Sequence, residues 1–400
     1  MKRRTFIELT AFGTLFSRGN LSWAENNTKN ENSVILLYLS GGPTTTELFN
    51  PIPDAPVEFR SVTGSVDTGL GFRLGGLFTG LAKEASHLNI YRGFRHRDAN
   101  HASATHWVMT GEPGFANQGQ KWPSHGSMVA QHYGPTTVDG VPTYVKTRPI
   151  THDKGAWLGI KHAGFDANDE GRKDLQLKVG SDQFDRRLDF LSMVDRNDSE
   201  LDRGWKELRE QAIEAIRGKA AESFDIENDR WYNEFKDDQL GKDCITAMRL
   251  VERGCRFVTI NFGGWDMHNN IKSALESRQP ILDKYFSLLI STLRDRGLNK
   301  NVMVVCTGEF GRTKLNRNAG RDHNPNAICL CISCDGYEMG KCVGKTDRNG
   351  ISAEEGIVSP ADLRWTIASH LGISKTSTVI GVDSRPYHFF KESDKNILHW

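Results

Sequence analysis

Several residues in this 400-residue chain are of the types that bind cations or move protons, and they fall in a few short loops. Asp266 and His268 stand two apart behind Gly263-Gly264, and Asp322 and His323 are adjacent behind Gly320-Arg321. Carboxylate and imidazole together form the donor mixture that holds zinc, manganese or a similar divalent ion in hydrolases. Glu309, in Gly308-Glu309-Phe310-Gly311-Arg312-Thr313, adds a carboxylate. Arg312 adds a planar fork matched to two oxygens of a phosphate or sulfate. One Asp-x-His pair alone is more often a surface turn, but several such loops together favour a shared site. The structural alternative is that Glu309 and Arg312 merely pair to brace their own loop.

The stretch Asn100-His101-Ala102-Ser103-Ala104-Thr105-His106 has helical spacing, with His101 and Thr105 on one face. His101 reads as a ligand or general base, and His106, followed by Trp107-Val108, as a packed helix residue. Ser103 and Thr105 are hydroxyls that nothing local activates. Thr44-Thr45-Thr46 reads either as a polar turn capping a helix or as a contact to phosphate or sulfate, with Thr45 the candidate catalytic hydroxyl.

Loops in these positions need strands beneath them. Residues 34–39 (VILLYL) form a short continuous apolar run ending in Ser40-Gly41-Gly42-Pro43, the pattern of a central strand buried on both faces. Residues 88–91, 256–262, 301–306 and 327–332 are further strand candidates. Helical patterns at 242–254 and 281–297 separate several of them, the second with Gly297 as its C-cap. Such alternation predicts a doubly wound α/β fold, a mostly parallel central sheet flanked by helices, in one domain over residues 34–390. The charged stretch at about 199–241 reads as a helix-rich insertion. In open parallel sheets ligands gather outside the carboxyl ends of the strands. Of the predicted strand ends, all but the fifth carry polar residues of the kinds above.

Composition narrows the classes further. Lys+Arg 51 against Asp+Glu 50 gives a net charge of +1, which argues against a nucleic-acid partner. No apolar run is long enough for an integral membrane segment. Residues 1–24 carry Arg3-Arg4, a weakly apolar stretch and Ser22-Trp23-Ala24, which together read as a twin-arginine signal peptide. That predicts handling by the twin-arginine export machinery and a periplasmic or secreted protein, with 25–33 a disordered spacer. Seven cysteines include Cys329, Cys331, Cys334 and Cys342. They lack the turn residues of a zinc knuckle, so they read as buried strand thiols with room for a Cys334–Cys342 disulfide.

The motifs GGP-x-x-x-E-L-F-N-P, NH-x-x-A-T-H-W-V-M-TG, RLVERG-x-RFV, GGWD-x-H-x-N, GEFGRT and GRDHNP occur in that order. With the twin-arginine start, they closely resemble the exported proteins grouped as domain of unknown function 1501, a sulfatase-like branch of the alkaline phosphatase superfamily. The resemblance implies an α/β sandwich of the alkaline phosphatase and sulfatase kind, often with divalent metals beside a phosphate- or sulfate-ester site. It implies that Asp266 and His268 share one metal, and it places Glu309 and His323 among the ligands. The chain also departs from the superfamily pattern. Ser40-Gly41-Gly42 stands where an Asp normally ends the first strand, and Glu47 and Asn50 stand where the family usually has Asp. Asn100-His101 takes the place of the nucleophilic Ser or Thr.

The expectation is therefore a periplasmic metal-dependent hydrolase of sulfate or phosphate esters acting on a small-molecule or carbohydrate ester. The ion is Zn, Mn or Ca, with Asp266, His268, Glu309, Asp322 and His323 as ligands and Arg312, His101 and Thr45 as catalytic residues. The alternative is a non-catalytic carbohydrate- or partner-binding protein that kept the scaffold.

Overall fold

The computed structural model describes residues 31–114, 121–137, 139–168, 180–194, 220–380 and 385–400, together with 172, 209–210, 212–216 and 218. The predicted signal peptide and residues 25–30 of the spacer lie outside the described residues, as does part of the 199–241 insertion. The insertion's described part contains the short helices Ala220–Ser223 and Tyr232–Phe235. Ser33, the last residue assigned to the spacer, is already strand: it is buried, and its hydroxyl donates to the Cys255 carbonyl at 2.9 Å.

Twelve strands are needed to describe the site and its support. They are β1 (Ser33–Tyr38), β2 (Ser65–Asp67), β3 (Arg73–Gly75), β4 (Asn89–Tyr91), β5 (Tyr144–Lys146), β6 (Phe165–Asp166), β7 (Phe257–Asn261), β8 (Val302–Thr307), β9 (Gly311–Leu315), β10 (Arg321–Asn324), β11 (Leu330–Ser333) and β12 (Cys342–Val343). Eight of them form the main sheet, in the order β12-β4-β11-β8-β1-β7-β5-β6. β1 pairs in parallel with β7 on one side and β8 on the other, and β5 continues the parallel run from β7. Only β11 is reversed, antiparallel to both β8 and β4.

The continuous apolar run of β1 is explained by burial on both faces. Ile35, Leu37 and Leu39 enter one core cluster, packed under the helices Gln239–Glu252 and Ile271–Asp295. Val34, Leu36 and Tyr38 enter the other, with the helices His101–Thr110, His125–Tyr133 and Pro360–His370. This is the doubly wound α/β arrangement, in which the loops after the parallel strands β1, β7 and β8 leave the sheet at one edge. The Ile271–Asp295 helix begins ten residues before its expected start and runs through Pro280. One proline removes one rung, which the buried face of a 25-residue helix tolerates.

The fifth predicted strand, β11, which has no candidate polar residues at its end, runs opposite to its neighbours. After β8 the chain folds the antiparallel β9–β10 hairpin at the edge where β8 ends and must descend again, so β11 is antiparallel. The Cys334–Cys342 disulfide is absent, and all seven cysteines are free thiols. Cys334 packs in one core cluster and Cys342 against the other, so the two sulfurs lie on opposite faces of the sheet.

Candidate functional site

Three strand ends meet at the carboxyl edge, those of β1, β7 and β8. The turn after β1 holds Gly41 at φ 112° and Gly42 at φ 70°, backbone states that L side chains avoid. A Cβ on Gly41 would come within 2.7 Å of the Asp266 nitrogen, so glycine lets the loops after β1 and β7 touch. Arg312, on β9, ties these loops together from within. Its Nε donates to the Gly42 carbonyl (2.7 Å) and its Nη1 to the Arg321 carbonyl (3.0 Å). Its Nη2 donates to the Gly41 carbonyl and to Asp266 Oδ1, the latter at 2.6 Å. The whole side chain is buried.

Around that Asp266 oxygen three imidazoles converge. His268 Nε2 is 3.0 Å away, His323 Nε2 3.3 Å and His101 Nε2 3.4 Å. The second nitrogen of each ring is held from behind by an acceptor. His101 Nδ1 donates to Glu309 Oε1 (2.7 Å), His268 Nδ1 to Asp322 Oδ1 (2.9 Å) and His323 Nδ1 to the Ala99 carbonyl (2.8 Å). Carboxylates and carbonyls only accept, so each Nδ1 carries a proton, and in a ring with no second proton Nε2 presents a lone pair. Lone pairs aimed at a carboxylate oxygen repel it unless a cation or protons lie between. His268 Nε2 and His323 Nε2, themselves 3.0 Å apart, pose the same requirement. His101 Nε2 is buried without a hydrogen-bond partner. Imidazoles backed by an acceptor are the usual form of a metal-ligating histidine.

Charge in the cluster is set by these contacts. Partial burial works against ionisation of Asp266, but the Arg312 hydrogen bond and charge hold its pKa down to about 2. The hydrogen bond to Glu309 raises the pKa of His101 against its partial burial. Burial lowers that of His323, and the nearby Arg312 adds to the effect. The His268 hydrogen bond lowers the pKa of Asp322.

The residues singled out in the sequence therefore fall into two groups. Asp266, His268, His323 and His101 point at one another. Glu309 and Asp322 lie one step back, each bonded to a ring Nδ1. Glu309 is almost fully buried and also accepts from the Gly41 nitrogen (2.9 Å) and the Tyr38 hydroxyl (3.3 Å). Thr45 is buried, and its hydroxyl donates to the Ala327 carbonyl (3.0 Å). Thr105 Oγ1 lies 3.2 Å from the Tyr38 hydroxyl. The Asn100 side chain caps the His101–Thr110 helix by accepting from the Ala102 and Ser103 nitrogens, and so fixes His101 at the helix start. His106 is buried, its Nδ1 against the Glu112 carbonyl (3.1 Å). Phe310 and Tyr38 also belong to this neighbourhood, though neither is of a type that binds cations. Phe310 is buried, with its ring 4.3 Å from that of His323 and 4.8 Å from that of His101. Its only sequence signal is its place between Glu309 and Gly311.

The profile of the family described as Protein of unknown function (DUF1501) matches residues 31–399. The chain belongs to this family. No functionally curated protein matches the sequence. Solved structures resemble the chain at low identity. A PsFucS1 sulfatase from Pseudoalteromonas sp. is 12% identical, with a TM-score of 0.45 over 94% of this chain and 74% of its own. The lipoteichoic acid synthase LtaP from Listeria monocytogenes is 10% identical, with a TM-score of 0.41 over 92% and 76%. The phosphonate monoester hydrolase SpPMH from Silicibacter pomeroyi is 11% identical, with a TM-score of 0.36 over 86% and 74%.

Proposed function

We propose that this protein hydrolyses sulfate or phosphate esters of small molecules or carbohydrates, in the periplasm, with a divalent ion held around Asp266. The observation that carries this reading is the convergence of three Nδ1-tethered imidazoles on one carboxylate oxygen at the carboxyl edge of the sheet. The orphaned Nε2 of His101 and the ionised Asp266 fit a cation. An ion there supplies Lewis acidity toward an ester oxygen. The protein's own residues prepare the place. Arg312 keeps Asp266 ionised and aimed, Glu309 sets the tautomer of His101, and Phe310 packs its ring against those of His101 and His323. The Glu309 and Asp322 carboxylates serve as orienting partners in this reading, and Thr45 and Arg312 as supports.

The test is a panel of aryl sulfates, phosphates, phosphonates and carboxyl esters offered to the purified protein before and after chelator dialysis. Turnover confined to the sulfur and phosphorus esters, lost on chelation and restored by metal, is expected. Undiminished turnover after chelation, or none with any metal, would overturn the reading. A second reading, a binding protein on this scaffold, draws on one observation. The Arg312 guanidinium and the Thr45 and Thr105 hydroxyls are all engaged with protein groups. Carbohydrate binding without turnover would favour it.

A further inference from the structure

We infer that the ligand set is His101, His323 and Asp266, that it selects a zinc-class ion, and that Glu309 is the positioning residue of His101. The inference rests on the reading that the Asp266 cluster binds a metal, and it says which residues hold the ion and which only orient them. One donor atom from each of His101, Asp266 and His323 lies within 4.8 Å of the other two. Tetrahedral zinc with bonds of about 2.0–2.2 Å sets its ligand atoms roughly 3.3–3.5 Å apart. The 3.4 Å and 3.3 Å separations of the two Nε2 atoms from Asp266 Oδ1 fit that spacing.

His268 lies in the same cluster but differs in one respect. Its Nε2 is also 3.3 Å from Arg312 Nη1, a donor that occupies its lone pair. His101 Nε2 has no such donor. His268 is therefore assigned to the wall beside the ion, where it keeps Arg312 and Asp322 in register. Two imidazole nitrogens against one carboxylate oxygen favour zinc and similar borderline ions over calcium or magnesium, which prefer oxygen donors. Three protein ligands also leave a coordination position open, as in catalytic rather than structural zinc centres.

Glu309 is the less obvious partner, because its place at the strand end suggests a ligand. It is 2% exposed and already bonded to His101, Gly41 and Tyr38. An oxygen so engaged turns the His101 ring and fixes its tautomer, and a partner of this kind is worth about 10–100-fold in metal affinity.

The experiment is a zinc titration of the metal-free full-length protein in competition with a chromophoric chelator, with cobalt(II) absorption as the second readout. One zinc per chain, bound far more tightly than calcium or magnesium, and the intense visible bands of four- or five-coordinate cobalt are expected. His101→Ala should weaken zinc by more than the roughly 100-fold that bounds an orienting partner. Glu309→Gln should weaken it about 10–100-fold and shift the cobalt bands, with the circular dichroism unchanged. His268→Ala should keep the cobalt spectrum. Wild-type zinc affinity in His101→Ala, preference for calcium, or loss of the cobalt bands in His268→Ala would overturn the assignment. If His101→Ala misfolds, His101→Asn takes its place, and the wild-type cobalt spectrum tests the coordination without any variant. Zinc bound as assigned with no ester turned over would sink the hydrolase and leave the ligand set standing. Ester turnover by a protein whose His101 variant keeps its metal would do the reverse.

Discussion

Arg312 illustrates why a residue's type does not settle its task. A strand-end arginine suggests a free fork for a substrate oxyanion. In the fold its donors face the Gly41, Gly42 and Arg321 carbonyls and Asp266. Lysine keeps the charge but cannot span acceptors on separate edges of a plane. Each buried carbonyl left without a donor costs about 1–3 kcal/mol. Arg312→Lys is therefore expected to lower unfolding free energy by about 2–4 kcal/mol in a urea titration, and to weaken metal binding because Asp266 loses its anchor. An unchanged midpoint would return Arg312 to the substrate. The same limit applies to the histidines. His101, His268 and His323 were legible as candidates from their loops. Which nitrogen each presents was not, because that depends on Glu309, Asp322 and the Ala99 carbonyl arriving from other parts of the chain.

At the scale of elements, much of the fold was legible because burial on both faces writes an unbroken apolar run. β1, β7 and β8 fall within a residue or so of their expected spans. The reversal of β11 was not legible, since an apolar strand reads the same in either direction, and only the β9–β10 hairpin turns the chain round. The glycine turn after β1 separates two causes that sequence merges, conformation and space. A Cβ added to Gly64, at φ 80°, would meet nothing within 4 Å, whereas one on Gly41, at φ 112°, would strike the Trp265 and Asp266 backbone. Gly64→Ala is expected to cost only the left-handed penalty of about 1–2 kcal/mol. Gly41→Ala adds a backbone displacement at the site and should cost about 3 kcal/mol or more, and should also lower metal affinity. Equal shifts in the two melting temperatures would mean that the contact between the loops matters little.

Across the whole molecule, the edge of the sheet opposite the site is fastened by a neutral histidine. His370, at the end of the Pro360–His370 helix, places Nε2 3.2 Å from the Ser33 carbonyl and 3.0 Å from that of Asn301, where β1 and β8 begin. Burial pushes its pKa down to about 4, against the pull of those two carbonyls. His125, whose Nε2 is 2.8 Å from the Val108 carbonyl, is pushed by burial to about 3. In the unfolded chain both return to about 6.5. Below that pH the unfolded state binds protons that the folded state refuses, so stability is full above about pH 6.5 and falls as pH drops toward 4. The loss is on the order of a few kcal/mol, since one unit of separation is worth about 1.4 kcal/mol. The measurement is urea unfolding of the wild type and of His370→Gln at pH 7.5 and pH 5. Glutamine keeps a donor for the strand carbonyls and cannot titrate, so the variant should start less stable yet lose less between the two pH values. Equal losses in the two proteins would mean that the His370 imidazole does not couple the sheet to pH.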